Sequence, residues 1–253
     1  MRKLFILLTI LLLSTTYAMA ESVYTNLQTT AINAGVENEA AMMLAERVKL
    51  AKFSEANVIK IQSTMTALQK NGAGKVAEKV LEGIAKNVDQ TRIIFALERV
   101  QNRYEKAMQI ANMLGDIGTK SIRISETIAD AMSAGATDSG LAKIADQIKA
   151  SDKYDSEYAE SAFTLYRDVV RYGVDNNEAY SITKNAMEKF SASEMNIMRR
   201  DIAKNAGNND SESLAGKIKD SIESGNAGMS GESGSSGGSG NGSGGGGNGN
   251  SKH

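Results

Sequence analysis

The side chains that most often perform catalysis or bind metals are nearly absent from this chain. Its 253 residues include no cysteine and a single histidine, His253, which is the last residue. Without cysteine there is no disulfide, thiolate nucleophile or zinc–cysteine cluster. A serine triad or a histidine-based metal site needs a positioned imidazole, and a terminal residue does not supply one. We therefore predict no metal site and no cofactor.

One short string could place a catalytic acid on a helix. Residues 160–163, ESAF, resemble the Glu-Ser start of the lytic transglycosylase site, where one glutamic acid protonates a glycosidic oxygen within an all-α domain. The Gly-Leu-Met-Gln-like segment of that family is missing downstream, where residues 166–170 read YRDVV. A general acid also needs an enclosed apolar setting, and the helical spacing places Glu160 off the apolar stripe. We predict no catalytic residue and keep a cell-wall-acting enzyme using Glu160 as an alternative.

Five tyrosines lie within 27 residues of the second half of the chain. Tyrosines on a helix stripe usually lie at the edge of a core with a hydrated hydroxyl. A groove for sugar rings or peptide is the alternative, because tyrosine is enriched at binding hot spots. These tyrosines are our candidate binding residues: Tyr154, Tyr158, Tyr166, Tyr172 and Tyr180.

Charge gives no sign of a nucleic-acid partner. The chain has 29 Lys and Arg against 30 Asp and Glu, a net charge of −1, whereas nucleic-acid binders show a basic excess or stripe. The pair Arg199-Arg200 indicates a solvated helix face. Residues 72–75, GAGK, are not a phosphate loop, because no strand precedes them and no Ser or Thr follows the lysine.

The first 20 residues have the organisation of a secretory signal peptide. Arg2 and Lys3 precede an apolar run, and small residues follow at 18–20. We expect cleavage before Glu21 and export to the periplasm or the extracellular space. The apolar run is shorter than the roughly 20 residues that span a bilayer, and we expect no transmembrane segment in the mature chain.

The last 29 residues, 225–253, are rich in Gly, Ser and Asn and hold 13 of the chain's 24 glycines. With almost no apolar side chains to bury, we expect this tail to be disordered. It could act as a solubilising extension or as a tether to a surface or partner.

Between the two ends, the period of a helix dominates. Apolar residues after residue 89 recur at steps of four and three, which places them on one stripe: Ile93, Leu97, Val100, Tyr104, Ala107, Ala111 and Leu114. Pairs of an apolar residue and a capping residue predict helix starts at Ser54, Asp89, Asp155, Asp175 and Ser191, with capping boxes at Ser191/Glu194 and Asp175/Glu178. Glycines predict helix ends at Gly35, Gly72, Gly135, Gly173 and Gly207.

These marks repeat along the chain. At an offset of 100, seven residues match chemically similar ones, namely 31, 34, 44, 45, 46, 48 and 49 with 131, 134, 144, 145, 146, 148 and 149. The fold class predicted is all-α, with duplicated helical-hairpin modules that form an α-solenoid-like array or a helical bundle. The predicted divisions are a signal peptide (1–20), a first module (21–114), a second module with a terminal helix (115–224) and the tail (225–253).

Residues 77–107, AEKVLEGIAKNVDQTRIIFALERVQNRYEKA, resemble exported all-helical bacterial proteins of unknown function. Those proteins share a signal peptide, Gly-punctuated helical hairpins and a Gly/Ser/Asn-rich tail. The resemblance implies a fold and an export route and no site residue. We expect a non-enzymatic exported protein that binds another protein or a cell-envelope polymer, and a structural surface or matrix component is a further alternative.

Overall fold

The computed structural model describes residues 22–153 and 155–228, apart from the side chains of Thr119 and Lys120. These residues form twelve helices packed in a bundle-like array and no strand, which confirms the predicted all-α fold class. Helix α1 includes residues 22–33, and the others are α2 (Asn38–Leu50), α3 (Glu55–Leu68), α4 (Ala73–Ala85), α5 (Gln90–Met113), α6 (Asp116–Lys120), α7 (Ile122–Ser133), α8 (Asp138–Ala150), α9 (Ser156–Arg171), α10 (Asn176–Lys189), α11 (Ala192–Asn205) and α12 (Ser211–Glu223).

The predicted signal peptide lies outside the described residues, and so does the predicted tail beyond residue 228. The first residues of that tail close helix α12. Gly225 has a φ of +71°, and the Asn226 amide donates to the Ser221 carbonyl at 3.0 Å. These residues therefore belong to the folded array, a few positions beyond the predicted boundary.

The helix starts follow the predicted caps. Each predicted cap side chain accepts an N–H of the first turn, at Ser54, Asp89, Asp155, Asp175 and Ser191. Glu194 completes its capping box by accepting the Ser191 amide at 2.8 Å. The second predicted box is wrong, because the Glu178 carboxylate does not accept the Asp175 amide. Its carboxylate instead accepts the Lys219 ammonium of α12 at 2.6 Å, a contact between helices that are distant in sequence.

Helix ends follow the glycine prediction in part. Three glycines adopt the left-handed conformation after a helix, with φ of +96°, +104° and +88° at Gly35, Gly135 and Gly173. Gly72 and Gly207 do not. In α3 the left-handed position falls on Gln69, and Gly72 immediately precedes α4. A Cβ on Gly72 would lie 3.0 Å from the Tyr104 ring, so close packing accounts for the glycine.

The odd-numbered helices of each half lie side by side and run parallel. In the first half, Asn57 contacts Gln90 near the starts of α3 and α5, and Thr64 contacts Gln101 further along both helices. In the second half, Asp168 and Arg199 join α9 to α11. The intervening helices α2, α4, α8 and α10 return the chain and pack on one another within each half. This arrangement is a duplicated stack of helical hairpins.

Helix α5 joins the two halves. It is 24 residues long, and it contacts α3 and α4 on one side of the junction and α7 and α8 on the other. Arg103 bonds to Ser133 of α7, and Lys106 pairs with Asp138 of α8. Gly118 lets the short α6 lie directly against α5, because a Cβ there would collide with the Ala111 carbonyl.

Of the residues that match at the offset of 100, those at 31, 44, 45 and 48 are buried in both halves, Ala134 is half-buried, and the charged residues at 46 and 49 are exposed in both halves. Leu44 and Ile144 are fully buried, as are Val48 and Ile148. All seven residues of the predicted α5 stripe are also buried. The module boundaries at 21–114 and 115–224 stay a prediction.

The contact between α8 and α9 yields a stability prediction. A Cβ on Gly140 of α8 would collide with the Tyr166 hydroxyl, which is buried and donates to Asn176 Oδ1 at 2.8 Å. We expect Gly140→Ala to lower the free energy of unfolding by about 1–3 kcal/mol, as overpacking of a core does. Urea denaturation measures the change, and wild-type stability would contradict the contact.

Gly216 provides the matched control within α12. It is exposed, and a Cβ there would meet nothing within 4 Å. Gly216→Ala is expected to raise stability by about 0.5–1 kcal/mol, since alanine favours a helix interior over glycine. The double variant Gly140→Ala/Tyr166→Phe should lose less stability than the two single changes added together, because removing the hydroxyl makes room for the methyl group.

Candidate functional site

A polar depression of about 430 Å³ lies on the face formed by α7, α9 and α11. Its lining consists of hydroxyl, amide and charged side chains, so it offers both hydrogen-bond donors and hydrogen-bond acceptors to a ligand. The residues that decide its chemistry are Arg123, Glu160, Ser161, Thr164, Asn196 and Arg199.

Glu160 forms one wall of this depression. Its Oε1 lies 2.6 Å from Nη2 of Arg123 on α7, and 30% of its side chain is exposed. The Ser161 hydroxyl beside it accepts from the Asn196 amide at 3.2 Å. A catalytic acid is usually held in an enclosed apolar setting, and the surroundings of Glu160 are charged and hydroxylic instead.

One lining residue, Arg199, is held in place by a buried carboxylate. Asp168 of α9 is 8% exposed and lies between two guanidinium groups, 2.7 Å from Arg167 and 2.9 Å from Arg199. Arg199 also donates to Asn196 Oδ1 at 2.9 Å. Because a buried charge needs a partner, this network holds α9 against α11.

The predicted tyrosines do not form one groove among the described residues. Tyr154 lies outside them. Tyr158 and Tyr166 are buried, and their hydroxyls donate to opposite ends of α10, at the Met187 carbonyl (2.6 Å) and Asn176 Oδ1 (2.8 Å). Tyr172 and Tyr180 are half-buried, and Lys143 Nζ lies 5.4 Å from the Tyr180 ring centre. A role in binding for these tyrosines stays a prediction.

Two further depressions occupy corresponding places in the two halves. The C-terminal depression, about 380 Å³, lies between the ends of α8 and α10 and is lined by Gln147, Ala150, Asp152, Lys153, Lys184 and Glu188, among others. The N-terminal depression, about 510 Å³, lies between the ends of α2 and α4 and is lined by Arg47, Leu50, Phe53, Ile84 and Val88, among others. Both linings mix polar and apolar groups, and large aliphatic or phenyl side chains are more frequent in the second, where they are Leu50, Phe53, Ile84 and Val88.

A third cluster of charges lies where α4, α5 and α7 meet. Lys75 Nζ contacts Glu78 Oε2 at 2.8 Å, and this hydrogen bond is the main cause that raises the pKa of Lys75. Burial raises the pKa of the neighbouring Tyr104 hydroxyl. Desolvation of the Glu126 carboxylate, followed by the repulsion of Asp130, raises the pKa of Glu126 above its ordinary value. The cluster is therefore a network of mixed charges with one disfavoured carboxylate.

Within residues 22–153 and 155–228, no group of three or more acidic, histidine or cysteine side chains is placed to hold a metal ion. Over the same residues, no helix has the length and apolar content to cross a membrane.

Comparison of the chain with protein families, with curated proteins and with solved structures finds no match.

The polar network between α9 and α11 was missed at the level of sequence, and Arg199 shows why. The interpretation of Arg199-Arg200 as a solvated face is wrong for Arg199, whose side chain lies on Asp168 and is 26% exposed. The available signal was its spacing, because Arg199 follows Met195 by four residues on the buried stripe of α11. Asp168 likewise interrupts a buried run of α9. Charges at apolar positions of two helices indicate a buried pair.

The raised pKa of Glu126 predicts a stabilising substitution. A carboxyl whose folded pKa lies above its unfolded value destabilises the folded state once it is ionised. We expect Glu126→Gln to raise the free energy of unfolding at pH 7. The gain should shrink as the pH falls toward 4.5, the ordinary value, and vanish below it. Urea denaturation across this pH range measures the difference. Glu46→Gln, at an exposed position of α2, controls for removal of a surface carboxylate, and a destabilised Glu126→Gln at pH 7 would refute the prediction.

Proposed function

We propose that the protein is an exported, non-enzymatic helical-repeat protein that binds another macromolecule in the periplasm or outside the cell. The observation that carries this proposal is the duplicated stack of hairpins, with depressions in corresponding places of its two halves. Arrays of helical hairpins present extended surfaces along the stack, and such surfaces commonly bind other macromolecules. The partner proposed is a protein or a cell-envelope polymer.

Two features support export. The signal-like composition of residues 1–20 favours cleavage before Glu21. The resemblance to exported helical bacterial proteins points the same way. The tail would then extend from the end of α12, where it could serve as a tether in a structural surface component.

Affinity capture tests the binding proposal. The chain from residue 21 to residue 253 is immobilised and exposed to an envelope extract and to the secreted fraction of the source cells. We expect saturable capture of one macromolecule at moderate salt, and no capture by the same chain immobilised after heat unfolding. Equal retention by folded and unfolded chains, or no retention by either, would count against a binding function.

The enzyme alternative rests on the position of Glu160 in the wall of a depression. If Glu160 is a general acid, the wild-type chain releases soluble fragments from purified peptidoglycan and Glu160→Gln does not. We expect no fragment release by either chain, as measured by chromatography of the digest. Release by the wild type alone would establish the enzyme in place of the binding protein.

A further inference from the structure

Exposed apolar side chains are concentrated in the first half of the array. Eight large apolar side chains are exposed among the described residues, and seven of them precede residue 100. Contiguous exposed apolar surface on a protein marks an interaction site more often than chance exposure does. The N-terminal depression is where such residues line a concave surface.

The N-terminal depression is preformed by the two turns that border it. The Gln90 side chain accepts the Ser54 amide at 3.1 Å and donates to the Lys52 carbonyl at 3.1 Å, which ties the start of α5 to the α2–α3 turn. Asn87 adopts a φ of +52°, and the Val88 amide returns to the Gly83 carbonyl at 2.9 Å. Val88 is therefore held outward by a fixed turn.

The lining of this depression combines apolar groups with one guanidinium, one carboxylate and two side-chain amides. Arg47 and Leu50 lie on the same face of α2, and Met43 precedes them on that face. Leu50 is 65% exposed and Val88 is 38% exposed. Among the described residues, no carboxylate lies within ion-pair distance of Arg47. Asp89 also lines the depression, and its Oδ1 accepts the Thr91 amide at 2.9 Å.

The second half shows that the fold does not require this surface. At the offset of 100, Arg47 corresponds to Gln147 and Leu50 to Ala150, and both of these line the C-terminal depression. The same backbone arrangement therefore exists without the guanidinium and without the exposed leucine. These two side chains are properties of the first half alone, so core packing does not account for them.

The two halves also differ in net charge. Residues 22–114 contain 12 Lys and Arg against 9 Asp and Glu, a net charge of +3. Residues 115–228 contain 14 against 19, a net charge of −5. The depression itself holds one guanidinium, Arg47, and one carboxylate, Asp89, within a half that carries a net positive charge, and that excess favours carboxylates in a partner.

We propose that the N-terminal depression docks a peptide segment that presents large apolar side chains at helical spacing beside carboxylates. The proposal rests on the proposed binding function and names its site and partner class. A preformed depression of about 510 Å³ accepts protruding side chains, and vesicle binding distinguishes a lipid surface from a peptide. A second copy is a poor occupant, because its exposed large apolar side chains lie mostly on its own first half, whose net positive charge would be repelled.

Two synthetic amphipathic peptides of about 15 residues test the proposal. Both carry leucine at the same helical positions, and the remaining positions are mainly glutamate in one and lysine in the other. Fluorescence anisotropy measures their binding to the chain from residue 21 to residue 253. We expect saturable binding of the glutamate peptide and at least about tenfold weaker binding of the lysine peptide, because like charges repel at the depression.

The decisive variant replaces two lining residues with those of the second half. Arg47→Gln/Leu50→Ala should weaken binding of the glutamate peptide at least about tenfold, since it removes both the charge and the main apolar contact. Leu50 is exposed, so the thermal midpoint should be unchanged, and a melting curve verifies this. Gln147→Ala in the C-terminal depression is the matched control and should leave the affinity unchanged.

Several outcomes would overturn the proposal. Equal binding of the two peptides, binding of neither, or an unaffected Arg47→Gln/Leu50→Ala chain would each do so. Binding to phosphatidylcholine–phosphatidylglycerol vesicles that the double variant abolishes, without peptide binding, would identify a lipid surface. Self-association that the double variant abolishes would identify a second copy. A captured macromolecule that binds the double variant with wild-type affinity would leave the proposed function standing and refute this site.

Discussion

The array depends on each helix burying one apolar stripe against the helices beside it. No disulfide can supplement this packing, because the chain has no cysteine. The buried set is made largely of alanine, valine, leucine and isoleucine, and the alanines let the helix backbones approach closely. Each fully buried valine, leucine or isoleucine contributes about 1.5–3 kcal/mol.

Polar contacts then fix how neighbouring helices are aligned. Gln90 joins two turns, and Asp168 with its two arginines joins α9 to α11. Apolar packing is non-directional, so it permits helices to slide along one another. A buried carboxylate between guanidinium groups does not permit this, because a displaced charge would be left without a partner. These contacts therefore explain how a chain with regular stripes adopts one register.

The sequence predicts those parts of the fold that depend on neighbouring residues. Caps such as Ser191 and glycines such as Gly35 act within one turn, and the stripe from Ile93 to Leu114 is set by the helical period alone. Predictions failed where a distant helix competes. Glu178 bonds to Lys219 rather than to its own helix start, and Arg199 pairs with Asp168 across two helices. The depressions could not be predicted, because they lie between turns that meet only in the folded chain.

The long helix α5 has a mechanical consequence. It contacts α3 and α4 in one half and α7 and α8 in the other, so the middle of the array has no interface that can part without exposing α5 itself. The outermost helices have neighbours on fewer sides. Local opening therefore costs the least free energy at the two ends. The hairpin of α1 and α2 and the helix α12 should exchange their amide hydrogens first, and they should unfold first under a pulling force. The middle of the array, around the helix that links the duplicated halves, should therefore open last.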